Sequence, residues 1–231
     1  MGVFEEIFRP GNEARERTAR NLITDIISDL KYITNASNKT ITTFNGLLGE
    51  KVETVSIDEK SPEKLLVDVR ERLLEIERLA KLHYEKLDAS VKKEPLDTVI
   101  EKWKGRSFED IDKIVAEFKV WGMSANAAGI AAASVVAGTM IPILVKSLNA
   151  FWGTVLGGFL GAAAGLIVTA IIDAIAAEQK YRKLEEAIQD LTDTKNTVRQ
   201  YREQIVTAAD DVILAIKVAQ KEAAKGKQEL N

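Results

Sequence analysis

The side chains that could do acid–base or nucleophilic work are few. His83 is the only histidine of the chain, beside Tyr84 and four residues after Leu79. Imidazole titrates near neutral pH, but a lone ring cannot build a multi-histidine metal site. The spacing from Leu79 puts it at the boundary of a helical face. Glu71, Glu75 and Glu77 lie close enough on a helix to act as paired carboxylates, yet Arg70, Arg72 and Arg78 interleave them and make an ion-paired polar face. Ser124, Ser134 and Ser147 would each need His83 as base to become nucleophiles, and none has it nearby in sequence. Gly153, Gly157, Gly161 and Gly165 lack the preceding strand and the G-x-x-x-x-G-K-[ST] order that cradles phosphate. Cysteine is absent, which removes disulfides and thiolate chemistry without fixing the compartment. Asn35-Ala36-Ser37 and Asn38-Lys39-Thr40 match the N-glycosylation pattern, which matters only on a eukaryotic secretory route. These residues predict a protein that is not an enzyme and needs no cofactor or metal.

The 231 residues carry 32 basic and 35 acidic side chains, a net charge of -3. No basic excess is available to neutralise a phosphate backbone, so nucleic acid is not an expected partner. The first nine residues contain Glu5 and Glu6 and show no basic start followed by an apolar run, so no cleavable signal is visible. Gly2 invites comparison with an acylation site, but Glu6 stands where Ser or Thr is wanted.

The elements that would position any site are helices. Leu22, Ile23, Ile26, Ile27 and Leu30 share one face, which predicts a long helix over 12–46 with Thr18, Asp25, Ser28, Asp29 and many later Ser, Thr and Asn residues opposite. Gly46 and Gly49 interrupt it. Ser61-Pro62 is a helix start, because Ser61 can accept from a free amide and Pro62 has no N–H to satisfy. Leu65, Val69, Leu73, Ile76 and Ala80 then carry a second helix to about 93, before Pro95. Leu96, Val99, Ile100 and Trp103 form a short stripe. Ser107 and Asp110 resemble a capping arrangement ahead of Ile111, Ile114, Val115 and Phe118. After Asp173, Leu184, Leu191, Val198 and Ile205 mark a last long helix over about 174–219, with 221–231 as a frayed polar tail. The expected fold is all-α: one domain over 1–231, an elongated bundle of long amphipathic helices around an inserted apolar hairpin at 120–172.

That apolar tract is the most unusual feature. No charge lies between Lys119 and Lys146, and none between Lys146 and Asp173; each interval holds 26 residues. A helix of that length, at about 1.5 Å per residue, can cross a hydrocarbon core of about 30 Å. Composition tempers this, since large apolar residues cluster at Ile141, Ile143 and Leu144 and again at Leu166 and Ile167, while 127–133 is mostly alanine. A marginal segment of this kind suits a helix that stays soluble when covered and inserts when exposed. Gly153, Gly157, Gly161 and Gly165 recur every four residues and predict a side-chain-free stripe for close helix packing, with Gly122, Gly129, Ala133, Ala137 and Gly138 as a possible facing surface. Pro142 bends or stops a helix, and Lys146 at the turn can keep its ammonium in water or among headgroups. Trp121 at one base, with Phe151 and Trp152 near the other end, suit membrane interfaces. Three readings follow: a membrane-active protein, a structural or interaction protein whose hairpin is buried in an oligomer or partner, and an integral protein with two permanent spans.

The order of long amphipathic helices, apolar hairpin at 122–172 and long return helix from about 174 resembles the helical pore-forming toxins of the cytolysin A superfamily, which includes tripartite enterotoxin components. The resemblance covers most of the chain in pattern and rests on no short motif. It implies a secreted soluble protein that exposes its hairpin at a target-cell membrane and assembles with further copies or related toxin components. It also implies that an amphipathic helix, here 14–44, could line a pore.

Overall fold

The computed structural model describes residues 12–56, 62–87, 93–104, 110–151, 153 and 177–228. Among these the fold is all-α, a bundle of six helices: α1 Asn12–Leu48, α2 Pro62–Glu85, α3 Leu96–Trp103, α4 Ile111–Val120, α5 Ala125–Phe151 and α6 Ala177–Gln228. The chain divides into two compact units. One comprises Met1–Tyr32 with Asn149–Glu203, the other Ile33–Leu148 with Gln204–Asn231.

In the first unit, Ile26 and Leu30 of α1 and Leu191 and Val198 of α6 are buried at helical spacing. Two ion pairs tie these helices, Lys195 Nζ to Asp25 at 2.6 Å and Arg202 Nη1 to Asp29 at 2.6 Å. Both residue numbers rise together from one pair to the next, so α1 and α6 run parallel here. Asp29 is only 7% exposed, which the sequence reading had placed on the solvated face. Its burial is tolerated because Arg202 neutralises it, and Arg202 itself lies over the Tyr32 ring at 5.7 Å.

The second unit holds the larger core, centred on Phe44, Leu73, Ile76, Phe118, Ile141 and Leu144. Here α1 departs again from expectation, because Thr34, Ser37 and Thr40 are buried rather than solvated. The Ser37 hydroxyl donates to Ile33 O at 3.0 Å and that of Thr40 to Ala36 O at 3.2 Å, so each takes its partner from its own helix and no polar group is stranded. The Thr40 sequon is occupied by structure as well: Asn38, its acceptor residue, is half-buried and bonded through both amide atoms to Val55.

Several boundaries shift for nameable reasons. α1 runs to Leu48, and Gly49 ends it at φ 70°, a conformation disfavoured by a Cβ. α2 begins at Pro62 but stops at Glu85 rather than near 93. Its last carbonyls are taken by the Lys93 ammonium, which donates to Tyr84 O at 3.0 Å, Glu85 O at 3.2 Å and Leu87 O at 3.2 Å. α6 continues to Gln228, past the expected frayed start at 221, because its Ala, Lys and Glu residues are strong helix formers. Ser107 lies outside the described residues, and Asp110 makes no side-chain cap to α4.

Tyr84 closes the end of α2. Its hydroxyl donates to Glu94 O at 2.6 Å, and burial first, then the Glu94 charge, pushes the phenol up to about 12 from 10.0. Below pH 10 both folded and unfolded chains keep this proton. Between about pH 10 and 12 the unfolded chain sheds it while the native protein holds it, so stability falls through that window by about 1–2 kcal/mol after allowance for solvent screening. Tyr84→Phe is expected to flatten this part of the alkaline limb in urea titrations; an unaltered limb would assign the loss to other groups.

Candidate membrane-active helix

Among the described residues α5 is the one helix long and apolar enough to cross a membrane. Its 27 residues extend about 40 Å at 1.5 Å per residue. Sharp local chemistry frames its start. α4 ends with Gly122 N donating to Lys119 O at 2.9 Å and Met123 N to Phe118 O at 3.2 Å, the two bonds of a Schellman motif. Gly122 takes φ 85°, so it serves the turn. Ser124 then caps α5, its Oγ accepting from Ala127 N at 3.3 Å and its carbonyl from Ala128 N at 2.8 Å. The apolar helix therefore begins at Ala125, a few residues after the expected base at 120.

Seven consecutive residues, 131–137, are buried, so this part of α5 is enclosed on every side. Small side chains make that possible. Ser134 Oγ donates to Ala80 O of α2 at 2.8 Å and also lies 2.9 Å from Ile130 O, a close backbone approach that a larger residue would block. Gly138 gives Ile100 of α3 its seat: a Cβ there would lie 2.3 Å from Ile100 Cδ1. An alanine surface also contributes less per residue to burial than leucine, at about 0.8 kcal/mol for each missing CH₂. The enclosure is extensive, but each of its small residues contributes little apolar area.

Beyond 138 the helix becomes one-sided. Ile141, Leu144, Leu148 and Phe151 are buried, while Pro142, Ile143 and Lys146 face solvent. Phe151 packs edge-on against Tyr201 at 5.7 Å. The expected stop or turn near Pro142 and Lys146 is not there; α5 runs through both to Phe151. Pro142 removes one backbone donor, but its ring is exposed and the buried residues on either side hold the helix together.

Of the expected interface residues, Trp121 is half-buried as the C-cap of α4, its ring edge-on to Phe118 at 5.1 Å. Trp152, Leu166 and Ile167 lie outside the described residues, as do Gly157, Gly161 and Gly165, and with them the second arm of the expected hairpin. Gly153 is exposed, and a Cβ there would meet nothing within 4 Å.

The amide contacts that hold residues 50–56 to α1 were missed in the sequence, whereas the ion-paired face of α2 was expected. Asn45 bonds both backbone atoms of Val52, accepting from its N at 3.0 Å and donating to its O at 2.8 Å. Asn38 does the same to Val55 at 2.8 and 2.9 Å. The available signal was their seven-residue separation, which puts both on one face of α1. Glu75 forms a bidentate pair with Arg78 at 2.6 and 2.8 Å. That hydrogen bond, before any other influence, holds its carboxyl below the usual range. Compared with known families, characterised proteins and solved structures, the chain matches none of them.

Proposed function

We propose that this protein is membrane-active, a pore former or one component of a pore, held as a helical bundle until α5 and the uncharged tract after it are uncovered at a lipid surface. One observation carries the reading. α5 is a complete helix, free of charge except for exposed Lys146, and 72% of its most apolar stretch is covered by protein. Because most of its backbone groups are already paired within the helix, transfer to lipid would strand few of them beyond the helix ends and the carbonyl opposite Pro142. The resemblance in helix order to the cytolysin A superfamily supports the same reading, and with it secretion, action at a target-cell membrane and assembly with further copies or related components.

The burial of 131–137 favours a second reading, a non-enzymatic interaction protein in which α5 is a permanent core helix. The two differ in one measurement. The chain has no cysteine, so Ile143→Cys supplies a single thiol at an exposed position for an environment-sensitive fluorophore. Addition of anionic and neutral liposomes loaded with dye is expected to move the emission to shorter wavelength and release the dye. Labelled protein that floats with neither liposome, keeps its emission and releases nothing would leave α5 a core helix.

A further inference from the structure

We propose that residues 50–56 form a proton-sensitive latch between α1 and α2, gripped at the Glu50 end by the charged ring of His83 and loosened when that ring is neutral. The segment leaves α1 at Gly49 and has no regular secondary structure of its own. Among the described residues, what holds it is side-chain contacts. Asn45 and Asn38 bind the backbone of Val52 and Val55, and the Val55 side chain is 4% exposed. To α2 it is joined by His83 Nε2 on Glu50 Oε1 at 2.7 Å and by Arg72 on Glu53 at 3.4 Å.

These contacts are unequal. The Arg72–Glu53 pair is long and solvated, Glu53 being 82% exposed, and such pairs contribute little. His83 and Glu50 are 23% and 33% exposed at the side chain and sit at hydrogen-bond distance. Imidazole is the side chain that changes charge between about pH 5 and 8, and a neutral ring keeps at most its hydrogen bond to the carboxylate while losing the ion-pair attraction. The amide clamps of Asn38 and Asn45 do not titrate, so only the Glu50 end responds to protons.

The surrounding charges do not duplicate this role. Arg78 on α2 is held protonated by its hydrogen bond to Glu75 and by that carboxylate's charge, with Glu50 adding a smaller influence. Arg72 is engaged by Glu53, and Lys51 of the latch is exposed. Glu85 and Lys86 at the end of α2 are exposed, as are Lys31 and Lys39, the two charged residues in the second half of α1. From α4 it is Phe118 that meets the adjacent Tyr84, and Lys119 beside it is exposed. His83 is the only imidazole of this set, and the other charged groups are carboxylates, guanidinium groups and ammonium groups.

Backbone amide exchange on the full chain tests the latch without reference to lipid. After correction for intrinsic exchange, protection of the Val52 amide is expected to fall about two- to fivefold between about pH 5.5 and 8, the range of a partly exposed ion pair. His83→Gln keeps a donor but cannot titrate and should abolish the pH dependence; Glu50→Gln keeps an acceptor without charge and should weaken it. A flat profile in the parent protein, an equal slope in His83→Gln, or a parallel fall at the α5 amides of Val135 and Val136 would each overturn the local latch.

Discussion

On the membrane-active reading, Ile143→Asp is expected to leave the helical bundle intact and to cut liposome leakage by about tenfold or more. Ile143 is 50% exposed on the one-sided part of α5, so a carboxylate there remains hydrated and should change stability by no more than about 0.5 kcal/mol. In a bilayer the same carboxylate must be dehydrated or protonated. At the centre of a spanning helix that costs about 2.5–3.5 kcal/mol, and about 1.4 kcal/mol already corresponds to tenfold. Few positions separate the two states so cleanly, because 131–137 are enclosed and a charge among them would unfold the protein first. Unchanged leakage with an unchanged melting profile would show that α5 does not enter lipid. Ile143→Asn, uncharged and equally hydrated in the bundle, should give an intermediate loss.

The largest effect on stability is expected at Phe118. This ring is fully buried and stands edge-on to two others, Tyr84 at 6.3 Å and Trp121 at 5.1 Å. It is also the residue whose carbonyl receives Met123 N in the turn into α5. Phe118→Ala should destabilise the protein by about 3–5 kcal/mol, from lost burial, the cavity left behind and the lost ring contacts. For a chain of this size that corresponds to a melting temperature lower by about 6–20 °C. Val120, two residues along and 85% exposed, is the control: Val120→Ala should remain within about 0.5 kcal/mol. A loss below about 1 kcal/mol at Phe118 would mean that the start of α5 is not anchored through α4. If the membrane reading holds, a weakened anchor should also make leakage faster per folded molecule, which ties the two experiments together.

His83 shows how a residue's chemistry can be visible while its place is not. Its type announced sensitivity near neutral pH, and its spacing put it at a helix boundary, but the partner that gives the charge a task is Glu50, 33 residues earlier. Ser134 is similar. Its hydroxyl pairs within its own helix, as any helical serine's can, and only the fold brings Ala80 O within 2.8 Å of it. Asn38 and Asn45 read as ordinary polar residues of a solvated face, because nothing local distinguishes an exposed amide from one that substitutes for a β-partner.

The sequence by itself determined what depends on near neighbours. Helical periodicity, the proline start at Pro62, the glycine break at Gly49 and the absence of charge between Lys119 and Lys146 all follow from backbone sterics, hydrogen-bond satisfaction and the solvation of single side chains. Only the tertiary structure decided which faces are covered. It enclosed 131–137 while leaving Ile143 to solvent, buried Thr34, Ser37 and Thr40, carried α5 through Pro142 and ended α2 at Glu85 under the Lys93 ammonium. The physical reason is that burial and long-range pairing belong to two segments at once: a hydroxyl can be buried when its own helix supplies the acceptor, and a proline can be kept within a helix when packing on both sides outweighs one missing bond.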